Sequence, residues 1–229
     1  MRFSIITITK NNPNGLHKTK QSIESQTYSD FEWIVIDGDK EPDNGIYDAM
    51  NKGITRARGD YTIFMNAGDE FASSDVLETL SHINADFIYG DTLEDGYTKP
   101  ATHISYLNCG MVTHHQAMVY RTEILKNLRF DERYNLAADY NLTLQFIKLS
   151  NCIYYINKPL CIFETGGVSQ QNAARSRQQE IVIRKEMNIR SPFTPYRQWL
   201  AHAIKTTCPP LYRLIKFDFK KYAPYKAKA

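Results

Sequence analysis

GDYTIFMNAGDEF, residues 59–71, sets how the chain is read. Tyr61, Thr62, Ile63, Phe64 and Met65 have the pattern of a buried strand, and they run directly into a polar turn that carries Asn66 and Asp69 around small Ala67 and Gly68. A carboxylate at the carboxyl end of a strand stands on the edge of an open α/β sheet where ligands bind. A hard oxygen donor there suits a divalent cation that holds phosphate oxygens. The structural alternative is a turn leading into a helix cap, since Ser73, Ser74 and Asp75 precede an apolar run and Asp75 with Glu78 resembles a capping box.

Upstream, residues 3–9 are β-branched and apolar and stop at the turn-rich Lys10-Asn11-Asn12-Pro13-Asn14-Gly15. Leu16, Thr19, Ile23 and Gln26 recur at helical spacing, and residues 31–36 form a second strand ending on Asp37-Gly38-Asp39. A carboxylate at that strand end can accept hydrogen bonds from a nucleobase imide or a ribose hydroxyl, although an Asp-Gly pair also reads simply as a turn. Ile46, Ala49, Met50, Gly53 and Ile54 mark a second helix before the strand at 61–65. The resulting β-α-β-α-β order predicts a parallel sheet with right-handed crossovers.

Downstream, the spacing predicts a helix over 74–83, a strand over 85–90, a hairpin or flap over 91–103 and a short strand over 116–120. A helix follows over 121–127, and another begins around Leu136-Ala137-Ala138-Asp139-Tyr140, where an acid in the first turn is also favoured by the helix dipole alone. Residues 152–163 read as a strand, Gly166-Gly167 as a mobile loop, and 172–188 as a polar helix with a solvated face.

Composition narrows the class. At 229 residues the chain is long enough for one domain with an appendage, and its 42% hydrophobic and 23% charged residues are ordinary for a soluble globular protein. The net charge of +3 is unevenly spread: residues 190–229 carry nine Lys/Arg against Asp218, or +8, which leaves −5 for residues 1–189. We therefore divide the chain into a catalytic domain over 1–189 and a basic tail over 190–229. The four cysteines are widely spaced, with no C-x-x-C pair, so neither a zinc site nor a disulfide framework is indicated. No secretory signal pattern opens the chain and no apolar run reaches the roughly 20 residues that span a bilayer, so a cytoplasmic location is expected. No G-x-G-x-x-G follows the first strand, which argues against a dinucleotide dehydrogenase, and the Gly- and Arg/Lys-rich loop expected of a nucleotidyltransferase is missing there.

Together these stretches resemble the family 2 glycosyltransferases with the GT-A fold, in particular small bacterial enzymes of colanic acid, capsule and O-antigen assembly. The resemblance runs over roughly residues 3–170. Its most distinctive piece is EPDNGIYDAMNKGITRARGDYTIFMNAGDEF at 41–71, supported in order by SIITIT at 4–9, residues 34–38, Ala137-Ala138-Asp139-Tyr140 and residues 163–169. It implies an α/β, mostly parallel, Rossmann-like sheet flanked by helices. It also implies an inverting transfer from a UDP-sugar to a hydroxyl of a glycan or of an undecaprenyl-diphosphate-linked acceptor. Thr9 and Asp37 would hold the uracil, Asn51 would lie near the ribose-diphosphate, Asp69 would bind Mg²⁺ or Mn²⁺, and Asp139 would be the general base. His115 and Gln116 match an H-Q segment on the acceptor or metal side.

Two departures stand out. Only Lys40 separates Asp39 from Glu41, where relatives carry an S-x-D-x-T segment, a helix and a strand, so the sheet should be trimmed. The usual D-x-D is Asn66-Ala67-Gly68, with Asp69 one position later. These departures keep open a catalytically silent nucleotide-sugar-binding partner in a polysaccharide assembly complex. No nucleic-acid partner is implied. The tail interleaves its basic residues with Trp199, Leu200, Ile204, Leu211, Phe217 and Phe219, a pattern suited to lying on an anionic membrane surface.

Overall fold

In the computed structural model the described residues are 1–164, 171–189, 204, 207 and 208. The basic tail, its Pro209-Pro210 pair and the Gly166-Gly167 loop lie outside them, apart from those three isolated positions.

The chain starts as its pattern predicts. β1 (Phe3–Thr9) lies between β2 (Phe31–Asp37) and β3 (Tyr61–Phe64), parallel to both. Helix α1 (Pro13–Glu24) follows β1; Asn12 caps it by accepting from the Gly15 amide, and Pro13 occupies the first turn, where a missing N–H costs nothing. Helix α2 (Ile46–Arg56) returns the chain to β3. Gly53 lets α2 settle on the sheet, because a Cβ at that position would fall on the side chain of Ile6.

Beyond β3 the sheet becomes mixed. β4 (Glu70–Phe71) and α3 (Val76–Ser81) precede a hairpin of β5 (Phe87–Glu94) and β6 (Tyr97–Lys99) that turns at Asp95-Gly96. β7 (Met118–Arg121) runs antiparallel to both β3 and β5, while β8 (Ile153–Ile162) runs parallel to β5 and antiparallel to β4. The order is β2-β1-β3-β7-β5-β8-β4, with β6 paired to β5. The parallel arrangement predicted from the β-α-β-α-β order is thus found in β2-β1-β3, and the rest mixes both directions. Among the described residues β2 pairs only with β1 and forms an edge of the sheet.

Two apolar layers cover the sheet. On one face Ile6, Phe64, Phe87 and Tyr120 meet Met50 and Ile54 of α2, Leu125 of α4 (Thr122–Leu128) and Phe146 of α5 (Ala138–Leu149). On the other, Phe3, Ile5, Tyr61 and Ile63 meet Ile23 of α1 and Leu77 and Leu80 of α3. Neighbouring strand residues such as Ile5 and Ile6 point to opposite layers, which is why the strands read as continuous apolar runs. α6 (Ala173–Glu186) closes one side against α5.

One local expectation fails. Asp75 does precede α3, but its side chain makes no capping bond; its carboxylate accepts instead from the Ser73 hydroxyl. No helix among the described residues is long and apolar enough to cross a membrane.

Candidate active site

The carboxyl ends of β1 and β3 open into a cleft of about 1110 Å³. Thr9, Asn66, Asp69, His115, Gln116 and Asp139 all line it.

The turn after β3 is held from several sides. Buried Thr19 of α1 donates to the Asp69 carbonyl at 2.7 Å and accepts from the Gly68 amide at 3.0 Å. The Gly68 amide also approaches the Gly15 carbonyl at 3.1 Å. Asp69 is therefore fixed, and only 4% of it is exposed. One carboxylate oxygen accepts from Gln116 Nε2 at 2.8 Å and the other from the Glu164 amide at 2.9 Å. Burial pushes its pKa up; those two donors oppose the rise, and the nearby Glu164 carboxylate adds to it.

Asp139 occupies the first turn of α5, where the helix dipole favours a negative charge. Its Oδ1 accepts from the Tyr47 hydroxyl at 3.1 Å and from the Tyr140 amide at 2.9 Å. Its Oδ2 faces His115 Nδ1 at 3.7 Å, an ion-pair distance too long for a hydrogen bond. Burial alone would raise this carboxyl. His115, the Tyr140 amide and the Tyr47 hydroxyl outweigh burial and hold it below the ordinary aspartate value. Burial and the Asp139 charge push the Tyr47 phenol well upward, so it stays a donor.

A short 3₁₀ turn, His115–Ala117, links the two acids. His115 faces Asp139 on one side and lies 3.3 Å from Asn66 Nδ2 on the other, while Gln116 reaches Asp69. The H-Q pair expected on the acceptor or metal side thus lies between the two acids.

The donor-side expectations divide. Thr9 lines the cleft, and Asp37 is its neighbour in the β1–β2 register. Asp37 is not among the lining residues; Lys40 and the Asp39 amide bind its carboxylate, and the Lys40 contact foremost lowers its pKa. Asn51 does not reach the cleft. Its amide accepts from the Phe130 amide at 2.8 Å and donates to the Phe130 carbonyl at 3.0 Å, locking the loop beyond α4 onto α2.

The cleft holds further residues, among them His114, which belongs with His115 and Gln116 to the segment expected on the acceptor or metal side. Tyr47 orients Asp139. His114 stacks on Phe163 with ring centroids 3.9 Å apart, and Lys99 contacts both His114 and Glu94. The helix read as a solvated face is also part of the wall: Ala173, Ser176, Arg177 and Glu180 of α6 line the cleft. Ser176 and Gln179 bind the carbonyl and amide of Leu136, just ahead of Asp139.

The residues around Asp69 fit a divalent cation. Among the described lining residues, the cations Lys10, Lys99 and Arg177 face six carboxylates, those of Asp43, Asp69, Glu94, Asp139, Glu164 and Glu180. A diphosphate entering so acidic a cleft requires added positive charge. The side-chain oxygens of Asn66 and Gln116 are buried there without hydrogen-bond partners. No cluster of three or more His, Cys, Asp or Glu able to hold a metal occurs among the described residues. Mg²⁺ and Mn²⁺ at nucleotide sites are held with one or two carboxylates and the substrate phosphates.

Comparison with known proteins gives a consistent picture. The Glycosyl transferase family 2 model matches residues 39–138. A glycosyltransferase of Mycobacterium tuberculosis (strain H37Rv) is 30% identical over 199 residues, covering 72% of this chain and 76% of that protein. The amylovoran biosynthesis glycosyltransferase AmsB of Erwinia amylovora is 27% identical over 206 residues, covering 69% of this chain and 68% of that protein. Among solved structures, residues 1–349 of TarS from S. aureus align with a TM-score of 0.62 at 18% identity, covering 80% of this chain and 65% of that one. The chain therefore spans just under two thirds of the TarS fragment. A TarS structure with UDP-GlcNAc aligns at 0.61 and 17% identity, covering 75% of this chain and 61% of that one. At these identities the structural matches establish the GT-A type of fold.

Proposed function

The chain belongs to glycosyl transferase family 2, and from that premise we propose that it transfers a sugar from a UDP-sugar to a hydroxyl of a glycan or lipid-linked oligosaccharide, with inversion, in the assembly of a bacterial surface polysaccharide or glycolipid. The observation that carries this reading is the placing of Asp69 and Asp139 in one cleft, linked through adjacent His115 and Gln116. The matches to the amylovoran biosynthesis glycosyltransferase and to a UDP-GlcNAc complex support the choice of acceptor and donor class.

The two acids divide the work. Asp139 is ionised at neutral pH and anchored through Oδ1, which leaves Oδ2 to accept the proton of the acceptor hydroxyl. As that proton moves to Oδ2, the acceptor oxygen bonds to C1 of the sugar. The bond from C1 to the diphosphate oxygen breaks, and its electron pair leaves with UDP. A single displacement inverts C1. Asp69, with Asn66 and Gln116 beside it, would hold Mg²⁺ or Mn²⁺. The cation would offset the charge that grows on the departing diphosphate. Thr9, with Asp37 beside it in the sheet, marks the uracil end. We place the reaction at the cytoplasmic face of the membrane, with residues 190–229 as the docking segment.

The test combines thermal stabilisation of the full chain by a panel of UDP-, GDP- and TDP-sugars with Mn²⁺ and measurement of UDP release with and without a lipid-linked acceptor. Selective stabilisation by a UDP-sugar and acceptor-dependent UDP release are expected. Nucleotide-sugar binding without any UDP release would instead identify a silent binding partner.

A further inference from the structure

We propose that Glu164 is the second carboxylate ligand of the divalent cation, supplying from the end of β8 the acid that the turn after β3 lacks at residue 68. The proposal rests on the reading of Asp69 as a metal ligand.

Residue 68 stands where the D-x-D pattern carries its second acid, and here it is glycine. Its φ of +109° is one that L side chains rarely adopt. A Cβ built on Gly68 would fall on Oε2 of Glu164, so the Glu164 carboxylate occupies the space where a residue-68 side chain would begin. The glycine suits this position by its backbone conformation, and the space a side chain would fill is taken by the Glu164 carboxylate. The Glu164 amide donates to Asp69 at 2.9 Å, which ties the start of the segment after β8 to the Asp69 turn. Two carboxylates are therefore held together beside the unpartnered side-chain oxygens of Asn66 and Gln116.

Two like charges in one partly buried site repel each other, and a shared cation removes that cost. Two carboxylates, with water and substrate phosphates completing the shell, is the number Mg²⁺ and Mn²⁺ take at nucleotide sites. Asp69 alone would leave the Glu164 charge unused beside it.

The test is Mn²⁺ binding followed by the loss of the free-ion electron spin resonance signal, on the full chain with saturating UDP, for the parent, Glu164→Gln and Asp69→Asn. Glu164→Gln keeps the backbone amide that holds Asp69, so the turn is retained. Both variants should bind Mn²⁺ at least about tenfold more weakly than the parent, since affinity at such sites follows ligand charge. A second readout excludes a packing effect: in EDTA, Glu164→Gln should unfold at the parent temperature or above it, because the repulsion is gone, yet gain less on adding Mn²⁺ and UDP. Parent-like Mn²⁺ affinity in Glu164→Gln, with Asp69→Asn impaired, would overturn the role of Glu164 and leave Asp69 standing. A parent chain that binds no Mn²⁺ with UDP present would overturn the metal reading itself, and Glu164 with it.

Discussion

Asp139→Asn isolates proton removal from everything else in the cleft. The replacement has the same shape, and its carbonyl oxygen can take over the bonds that Oδ1 accepts from the Tyr47 hydroxyl and the Tyr140 amide. The new amide group faces His115 Nδ1, where the parent has only a 3.7 Å ion-pair contact. The fold and the donor side should therefore survive, and only the proton acceptor is lost. General base catalysis is worth about 10²- to 10⁴-fold, or about 3 to 5 kcal/mol of barrier. UDP release with acceptor should fall by that factor while UDP affinity stays at the parent value. A stability measurement adds a sign check. Because the folded carboxyl is held below the ordinary aspartate value, its contribution is complete above that value and is lost as pH falls through the lower, folded one. The acid limb of thermal stability should thus be shallower in Asp139→Asn. Turnover within a factor of about three of the parent, far inside the range for a lost general base, would refute the assignment.

His115→Ala should move the acid limb of the pH–rate profile to higher pH, because burial then acts on Asp139 without its main opponent; an unmoved limb would separate His115 from the base. Asn51→Ala should cost about 1 to 3 kcal/mol in urea unfolding, the penalty for orphaning the buried Phe130 groups, with UDP affinity unchanged. A loss of UDP affinity without a loss of stability would return Asn51 to the donor site. For the tail, the full chain should sediment with anionic liposomes at low salt and be released at high salt, each basic residue near the surface adding about 1 kcal/mol, while a chain truncated after Asn188 should stay in solution. Equal partitioning of the two would show that residues 190–229 are not the anchor.

What could be read from the sequence follows from the range of each physical signal. β1, α1, β2, α2 and β3 were legible because apolar periodicity and turn residues act locally, whereas Asp69 stands out just after a strand and Asp139 only through the family resemblance of its segment. The mixed pairing beyond β3 was not, since the insertion of β5 between β7 and β8 depends on contacts far apart in the chain. Asn51 shows the same limit from the other side. It lies within the most distinctive run of the sequence, yet its amide is used 79 residues away, on Phe130.

The polar helix α6 exposes a more general source of error. A helix with little apolar face reads as solvated, because burial is inferred from hydrophobic residues. α6 is polar where it matters for a different reason: Ser176, Arg177 and Glu180 face a polar cleft, and buried Arg184 binds the Tyr140 hydroxyl and Glu180. Its Ser176 and Gln179 fix both backbone groups of Leu136, so the segment leading to Asp139 cannot shift without breaking bonds to a helix that is about 40 residues further on. Glu164 falls within residues 163–169, which resemble the family's Gly-Gly acceptor-side loop, but the sequence does not show that its carboxylate lies against Gly68. In both cases the site takes groups from beyond residue 160 onto a turn and a helix start laid down earlier in the chain.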